Sequence, residues 1–550
     1  MSLSTSKSYF INQRDVVLRL EPKEKTSKNA ANHLLLGDYL RYLDETDGDW
    51  VKVKCRGDEG WLKPDWFSEQ RLLEINFIDI GQGDGCHVVT PDDEVILIDA
   101  GEGLGFTGQG GDNMMRFISW RYNLRCLEDQ DPPFEIDHAV ITHPDLDHYY
   151  GFFNLFSHPK LNFKTISHNG IVERPLAGAS QSTFMYDLGR KVPPVPRKST
   201  YHLWDTVRTH QDMIDLLDAH PNSQKFYLST LRAARDNNPN VKFQFVDQSQ
   251  KFFDQYNHNH ALQLEVLGPI TEDVTFNGET KDCLIKLGNE GETKNGHSII
   301  FKLRYGKLKV LLGGDLNAKS QDYIAQYYAD IDTKMSDLED EIREIREDLI
   351  SEDLTIDERQ AMEQRLDEHR KLLDLIISKT RGVFQADIAK ACHHGASDVL
   401  DSFLQAINPV ATVISSGDEE SHSHPRPDAL GAFGKASRGH RPLIFSTELA
   451  RSSMEFSYPI KSYEKLKALD AKKEAANTQA EKDAIQQEME QLRDSNVAKY
   501  GMITIRTDGE RVIIAQKLEQ ERSPAQKWDI YDLFWNNKLQ EYEYRKNKGH

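Results

Sequence analysis

The chain has 550 residues, 38% hydrophobic and 28% charged, with a formal net charge of −20 at neutral pH. That length exceeds one ordinary core, so two or three domains are expected. The charge excludes broad, nonspecific adhesion to DNA or to an anionic membrane, and five scattered cysteines without a CxxC pair exclude a disulfide framework or a cysteine zinc knuckle.

The opening "MSLSTSKSYF" lacks the apolar core of a signal peptide, and no apolar run approaches the ~20 residues of a membrane helix. A cytoplasmic protein with no membrane attachment is expected. Residues 11–70 read as short strands: "GDYLRYLDE" and "DWVKVKC" alternate apolar and polar positions, and "GWLKPDWF" closes the unit. With Gly37, Trp50, Gly60 and Trp61 as landmarks, residues 1–70 resemble a bacterial SH3-like domain. The resemblance implies a small β-barrel that binds peptide or cell-wall-like ligands. A β-cap packed on the main domain is the alternative.

From residue 72 the texture changes. "LLEINFIDI", "GCHVVT" and "EVILIDAG" are apolar strands around the turn "GQGDG", and "IDHAVIT" follows. Later come "ALQLEVL", "HSIIFKL", "KLKVLLGGD", "ADIAKACHH" and "VATVISSG". Strands of this length with helical stretches between them predict an α/β layered core over 71–460. Two inserts stand apart. Residues 333–380 place Leu338, Ile342, Ile345 and Leu349, then Met362, Leu366, His369, Leu373 and Ile376, at heptad spacing. A capping box at Thr355 and Glu358 restarts a helix between them, so an antiparallel helical hairpin is predicted, protruding as an arm rather than joining the core. A second hairpin is predicted over 461–497, with a capping box at Thr478 and Glu481. A β-hairpin around Asp508-Gly509 (502–516) and a helical tail complete the chain over 498–550.

The chemistry concentrates in "VITHPDLDHYYG", where His143, Asp145, Asp147 and His148 fall within six positions directly after a strand. Four ionisable groups so close repel one another or cost desolvation unless something pairs with them, and a bound cation would pair with all four. Alternate positions can serve two ions, His143 and Asp145 one, Asp147 and His148 the other. Asp315 in "LLGGDL" ends a strand where a carboxylate can bridge two cations. "KACHHGASD" brings His393 and His394 to another strand end, "SHSHPRPDAL" adds His422 and His424, and Asp99 in "ILIDAG" is placed to orient a ligating histidine.

Taken together, "FIDIGQGDG…ILIDAG", "THPDLDHYYG", "NGHSIIFKL…LLGGDL", "CHHGAS" and "HPRPDAL" resemble the metallo-β-lactamase fold, in particular its ComEC-type branch, over about residues 72–318 and 384–455. The resemblance implies an αβ/βα four-layer sandwich with a two-metal site at the sheet edges. It matches His143, Asp145, Asp147, His148 and Asp315 to metal ligands. His394 and His424 match the late histidines, one completing a metal site and the other acting on the leaving group; the working assignment makes His394 the ligand and His424 the acid, with His393 and Asp99 behind the ligands. Asp145 stands where most of the superfamily has histidine, which makes manganese as plausible as zinc. His297 stands where the branch has asparagine and is counted as an added ligand or substrate contact with the catalytic groups.

The expected chemistry is hydrolysis by water activated between two divalent ions, zinc or manganese, with Asp147 orienting the nucleophile. The leading expectation is a phosphodiesterase or nuclease acting on DNA or RNA. The basic stretches "GRKVPPVPRKSTYH" (189–202) and "KASRGHRP" (435–442) are its local support. A small-molecule ester, amide or cyclic-nucleotide hydrolase of the same fold, and a protein-binding scaffold with a vestigial site, are the alternatives. Protein partners are expected on the SH3-like domain or the arms, and a homodimer is possible through the arms.

Overall fold

The computed structural model describes the chain apart from residues 1–2, 25–27, 82, 103–112, 128–130, 176–185, 194–199, 224–225, 352, 418–423, 440, 448–464, 466–467, 470, 474, 477, 498–501, 519–520 and 546–550. Two large sheets face each other. The first has ten strands, in the order Lys242–Phe245, Leu161–His168, Phe134–Ile141, Val95–Ala100, Gly85–Val89, Leu73–Ile78, Met502–Thr507, Val512–Lys517, Trp528–Asn536 and Glu541–Tyr544. The second has six: Leu262–Gly268, Ile300–Tyr305, Leu308–Leu312, Ile388–Lys390, Ala411–Ile414 and Leu443–Ser446. Phe77, Val88, Ile98 and Val140 of one sheet pack on Leu264, Phe301, Val310 and Val413 of the other. Helices cover both outer faces, Asn113–Arg121, His210–Ala219 and Phe226–Asn237 on the first, Ala318–Ala329, Asp401–Ile407 and Pro427–Ala436 on the second. Strands buried on both faces read as near-continuous apolar runs, and "VILIDA" and "LKVLL" do so here. The result is the helix–sheet–sheet–helix layering expected from the sequence.

In each sheet four successive strands at one end are parallel. Val95–Ala100, Phe134–Ile141, Leu161–His168 and Lys242–Phe245 run together in one, Leu308–Leu312, Ile388–Lys390, Ala411–Ile414 and Leu443–Ser446 in the other. Their carboxyl ends meet at one edge of the sandwich. Asp99, His143, Asp315, His394 and Ser415 all lie at those ends.

Two expectations about the periphery change. The arm helices Met335–Asp348 and Ile356–Phe384 form as predicted, with the Thr355–Glu358 capping box in place. Their base is core, however: Met335, Leu338, Ile376, Ile377 and Phe384 pack with Leu311, Ile324 and Phe403, and only Ile342, Ile345 and Leu366 form a cluster of their own. Heptad spacing marks an apolar stripe without saying what covers it. The end of the chain carries no helical tail among the described residues. Its strands continue the first sheet, Met502–Thr507 pairing antiparallel with Leu73–Ile78, because "WDIYDLFWN" and "EYEY" bury alternate faces against it. Of the second predicted hairpin, helix Gln479–Val497 is described with Glu481 N–H donating to Thr478 Oγ1 (3.3 Å), while much of 461–478 lies outside the described residues. Residues 9–68 form a five-stranded antiparallel sheet around their own core of Tyr9, Leu40, Val53 and Phe67. No helix among the described residues is long and apolar enough to cross a membrane.

Candidate metal centre

Strand Phe134–Ile141 delivers Thr142 and His143 to the edge, and the short helix Leu146–Tyr149 that follows turns Asp147 and His148 inward. This turn is tightly backed. The amide of Asp84 donates to the Asp147 carbonyl (3.2 Å), and Gly83, at φ +102°, lies so close that a Cβ there would be 1.8 Å from that oxygen.

The buried imidazoles have their protons placed by their neighbours. His394 Nδ1 donates to the Ser415 carbonyl (2.9 Å), since a carbonyl only accepts. His148 Nδ1 lies 2.8 Å from Asp99 Oδ2, a carboxylate that also accepts from the Thr142 amide (2.8 Å) and hydroxyl (2.7 Å). His143 Nδ1 faces the Thr142 and Ser298 hydroxyls (3.1 and 3.2 Å), whose protons go to Asp99 and to the Asn295 carbonyl, so Nδ1 donates here too. In each neutral ring Nε2 is left with a bare lone pair. His143 Nε2 is buried without a hydrogen-bond partner. His148 Nε2 and His394 Nε2 lie 3.2 Å apart, with Asp315 Oδ2 3.1 and 3.0 Å from them and Asp147 Oδ2 3.4 Å from His394. Ligands ~2.1 Å from one tetrahedral ion stand about 3.4 Å apart, and these separations lie at or slightly below that spacing.

The electrostatics agree. Burial opposes charge on His148 and His394, yet the carboxylates outweigh it: Asp315, Asp99 and Asp147 hold His148 well above its ordinary value, and Asp315 and Asp84 raise His394 to about 10. Conversely, His148 and His394 overcome burial and hold Asp147 and Asp315 well below the usual carboxylate range. A pocket that draws protons this strongly calls for a cation. His143 is the exception; burial and the neighbouring His148 push it well below its ordinary value, so it stays a neutral donor.

Residues not singled out in the sequence complete the surroundings. Asp84, His148, Asp315 and His394 each offer a donor within 4.8 Å of the others, but Asp84 sits on the Nδ1 side of both imidazoles, 3.8 and 3.5 Å away, and pairs with Lys390. It therefore backs the ligands rather than facing the ion. Lys390 also lies 3.2 Å from Asp315 Oδ1 and donates to the Gly314 carbonyl, leaving Oδ2 for the pocket. Lys294 pairs with Asp145 and with Glu173 (2.8 Å). In "GQGDG" the turn reading concealed Asp84; Lys390 had no signal beyond its apolar neighbours in "ADIAKAC", and Lys294, in "GETKNGH", had none.

His143, Asp145, Asp147, His148, Asp315, His394 and Asp99 thus come together. His297 does not: its ring is buried and directs Nε2 to the Ile285 carbonyl (2.7 Å), and burial lowers it to about 4. His393 sits at the rim with Nδ1 2.9 Å from Asp398 and Nε2 3.4 Å from the Asn295 amide, and the His424 ring is 5.8 Å from it and 6.4 Å from His394. His422 lies outside the described residues.

Residues 86–356 match the family model of the metallo-beta-lactamase superfamily. This stretch is a metallo-beta-lactamase superfamily domain. Superfamily members are generally hydrolases, and the matched stretch contains His143 to His148 and Asp315 but ends before His394. Comparison with curated proteins gives no match.

Proposed function

We propose that the chain is a metal-dependent phosphodiesterase of the ComEC type acting on nucleic acid. The observation that carries the reading is the convergence of His148 and His394 Nε2, both rings oriented by their Nδ1 partners, on the carboxylates of Asp147 and Asp315, where a cation would take the place of the ring protons. Two imidazoles with two hard carboxylates suit zinc and manganese equally. His148, His394, Asp147 and Asp315 would hold one ion and His143 with Asp145 a second, weaker one, because Lys294 already neutralises Asp145. Divalent ions at such a site supply Lewis acidity and bring the acidity of water near neutral pH.

The residues of the chain do the rest. Asp99 and the Ser415 carbonyl fix the rings of His148 and His394, Lys390 fixes Asp315, and the carboxylate of Asp147 orients the attacking water. Of the two rim histidines, His393 is the proton donor to the leaving oxygen: burial opposes its charge, but its hydrogen bond to Asp398 raises it and keeps a proton available.

A second reading, a small diester, cyclic nucleotide or other ester, has an observation of its own. The basic stretches are engaged internally: Lys191 with Glu290, Arg190 with Asp205, Lys435 with Asp401 and Arg438 with Asp387. The test sets single-stranded DNA, RNA and bis(p-nitrophenyl) phosphate beside cyclic nucleotides, lactones, thioesters and β-lactams, with zinc or manganese. Phosphodiester turnover abolished by Asp315→Ala is expected. Turnover confined to the compounds without phosphate would overturn the reading.

A further inference from the structure

Away from the metal centre, a cavity of about 450 Å³ lies between the N-terminal sheet, helix Asn113–Arg121 and strand Met502–Thr507. None of its lining residues belongs to the metal centre. Five of them are cationic, Arg41, Lys54, Arg56, Arg121 and Arg506, against two carboxylates, Asp38 and Glu74, in a chain whose net charge is −20.

The inner cations are held in place. Arg56 forks onto Asp38 (2.6 and 2.7 Å), while Arg506 and Arg121 share one oxygen of Glu74 (2.8 and 2.9 Å). Two carboxylates thus serve three guanidinium groups, and Arg121 Nε is buried without an acceptor. The outer pair is less settled still. Arg41 and Lys54 stand directly opposite each other on the antiparallel strands Tyr39–Asp47 and Trp50–Cys55, and neither has an ion pair among the described residues. Like charges directly opposed across two strands are destabilising, and the carboxylate in register with Lys54, that of Glu59, stands on the far strand Asp58–Leu62 rather than between the two cations. The remaining wall is aromatic: Trp120, half-buried, lies 6.1 Å from the Phe117 ring. A cavity of this size holds a drug-sized ligand, and its two chemistries, surplus guanidinium and ammonium groups beside an indole face, fit one that is both phosphorylated and aromatic.

We infer that this cavity is a binding site for a nucleoside phosphate, separate from the metal centre, with the phosphates between Arg41, Lys54 and Arg121 and the base on Trp120. The helix carrying Trp120 and Arg121 begins at Asn113, whose side chain donates to the Asp79 carbonyl (2.9 Å), at the start of the turn that carries Asp84.

Cys126 provides a local readout, because it lines the cavity and is exposed whereas the other four cysteines are buried. In the full-length protein, ATP or GTP should slow labelling of Cys126 by a thiol reagent, and adenosine alone or inorganic phosphate should do so far less. The protection should persist after metal is removed by chelation. Arg41→Gln with Lys54→Gln should weaken nucleotide binding by about tenfold or more, as loss of charge-assisted hydrogen bonds does, with metal content unchanged; Trp120→Ala, as a second variant, should weaken ATP binding while leaving pyrophosphate binding as it was. Absence of protection by millimolar ATP and GTP would overturn the inference. So would protection that vanishes on chelation, since the nucleotide would then sit on the metal, or affinity unchanged in both variants. Loss of diester hydrolysis in the metal-centre variants would leave this result untouched, so the two readings fail separately.

Discussion

Each imidazole in the centre is poised by a residue behind it, and this makes the residue scale the sharpest place to test the site. Lys294 is the most informative position. Its ammonium occupies the charge of Asp145, so titrating chelated protein with manganese or zinc should give two unequal steps, and Lys294→Gln should tighten the weaker step and leave the stronger one alone. A single step in both proteins would mean that His143 and Asp145 hold no ion. A pH test follows from the raised histidines. An unfolded histidine titrates near 6.5, whereas folded, metal-free His394 titrates at about 10. Its charge therefore stabilises the fold fully below pH 6.5, and that contribution is lost as pH rises towards 10. Chelated protein should show a Tm that falls between pH 7 and pH 10, and metal-loaded protein a flatter profile, because the ion replaces the proton. The cluster was legible in the sequence because His143, Asp145, Asp147 and His148 are neighbours in one turn. Asp84 was not, because a carboxylate between two glycines reads as turn chemistry until another strand is placed beside it. His297 misled for the opposite reason: a histidine beside a motif looks functional until its ring is seen to satisfy the Ile285 carbonyl.

At the scale of elements, the arm separates into two parts with different physics. Near the sandwich, Met335, Leu338, Ile376 and Ile377 belong to the core, and the Ser402 amide donates to Glu339 (2.7 Å), so excising 335–378 should prevent folding. Beyond Glu341, which pairs with His369 (2.9 Å), the helices pack only on each other. Replacing 342–369 with a short turn should therefore leave metal content and Tm nearly unchanged. Ile376→Ala should cost about 3 kcal/mol in chemical denaturation, within the range of large-to-small core changes, and Leu366→Ala markedly less for the whole molecule because the arm can fray alone. Equal costs would show that the arm folds as one unit with the core. The sequence displayed both helices and their capping box, since these depend on spacing within one segment. It could not display where the stripe changes partner, because Leu338 and Ile342 look alike until the second sheet is in place.

For the molecule as a whole, the longest-range strand pairing is also the least legible one. Strand Leu73–Ile78 pairs with Met502–Thr507 across more than four hundred residues, and Ile505 and Ile514 enter the central core. A chain ending at residue 500 should fail to fold, as judged by the loss of a cooperative denaturation transition, because it exposes one edge of Leu73–Ile78 and removes one wall of that core. Charge sets the remaining expectation. The net charge is −20, and much of the basic surface flanking the centre in sequence is already paired with carboxylates, so a polymer would be held mainly at the centre itself. Binding of nucleic acid weakens with salt in proportion to the number of phosphates neutralised, with a slope of about −0.7 per phosphate for single strands. A centre that engages two or three phosphates should give a slope near −2 for single-stranded DNA, weak affinity, and little gain as the strand is lengthened beyond a few nucleotides. The measurement is binding of oligonucleotides of increasing length to the metal-loaded Asp147→Asn protein at several salt concentrations. A slope of about −5 or steeper, with affinity rising with length, would require a basic track beyond these paired stretches, and would return the long polymer to first place among the substrates.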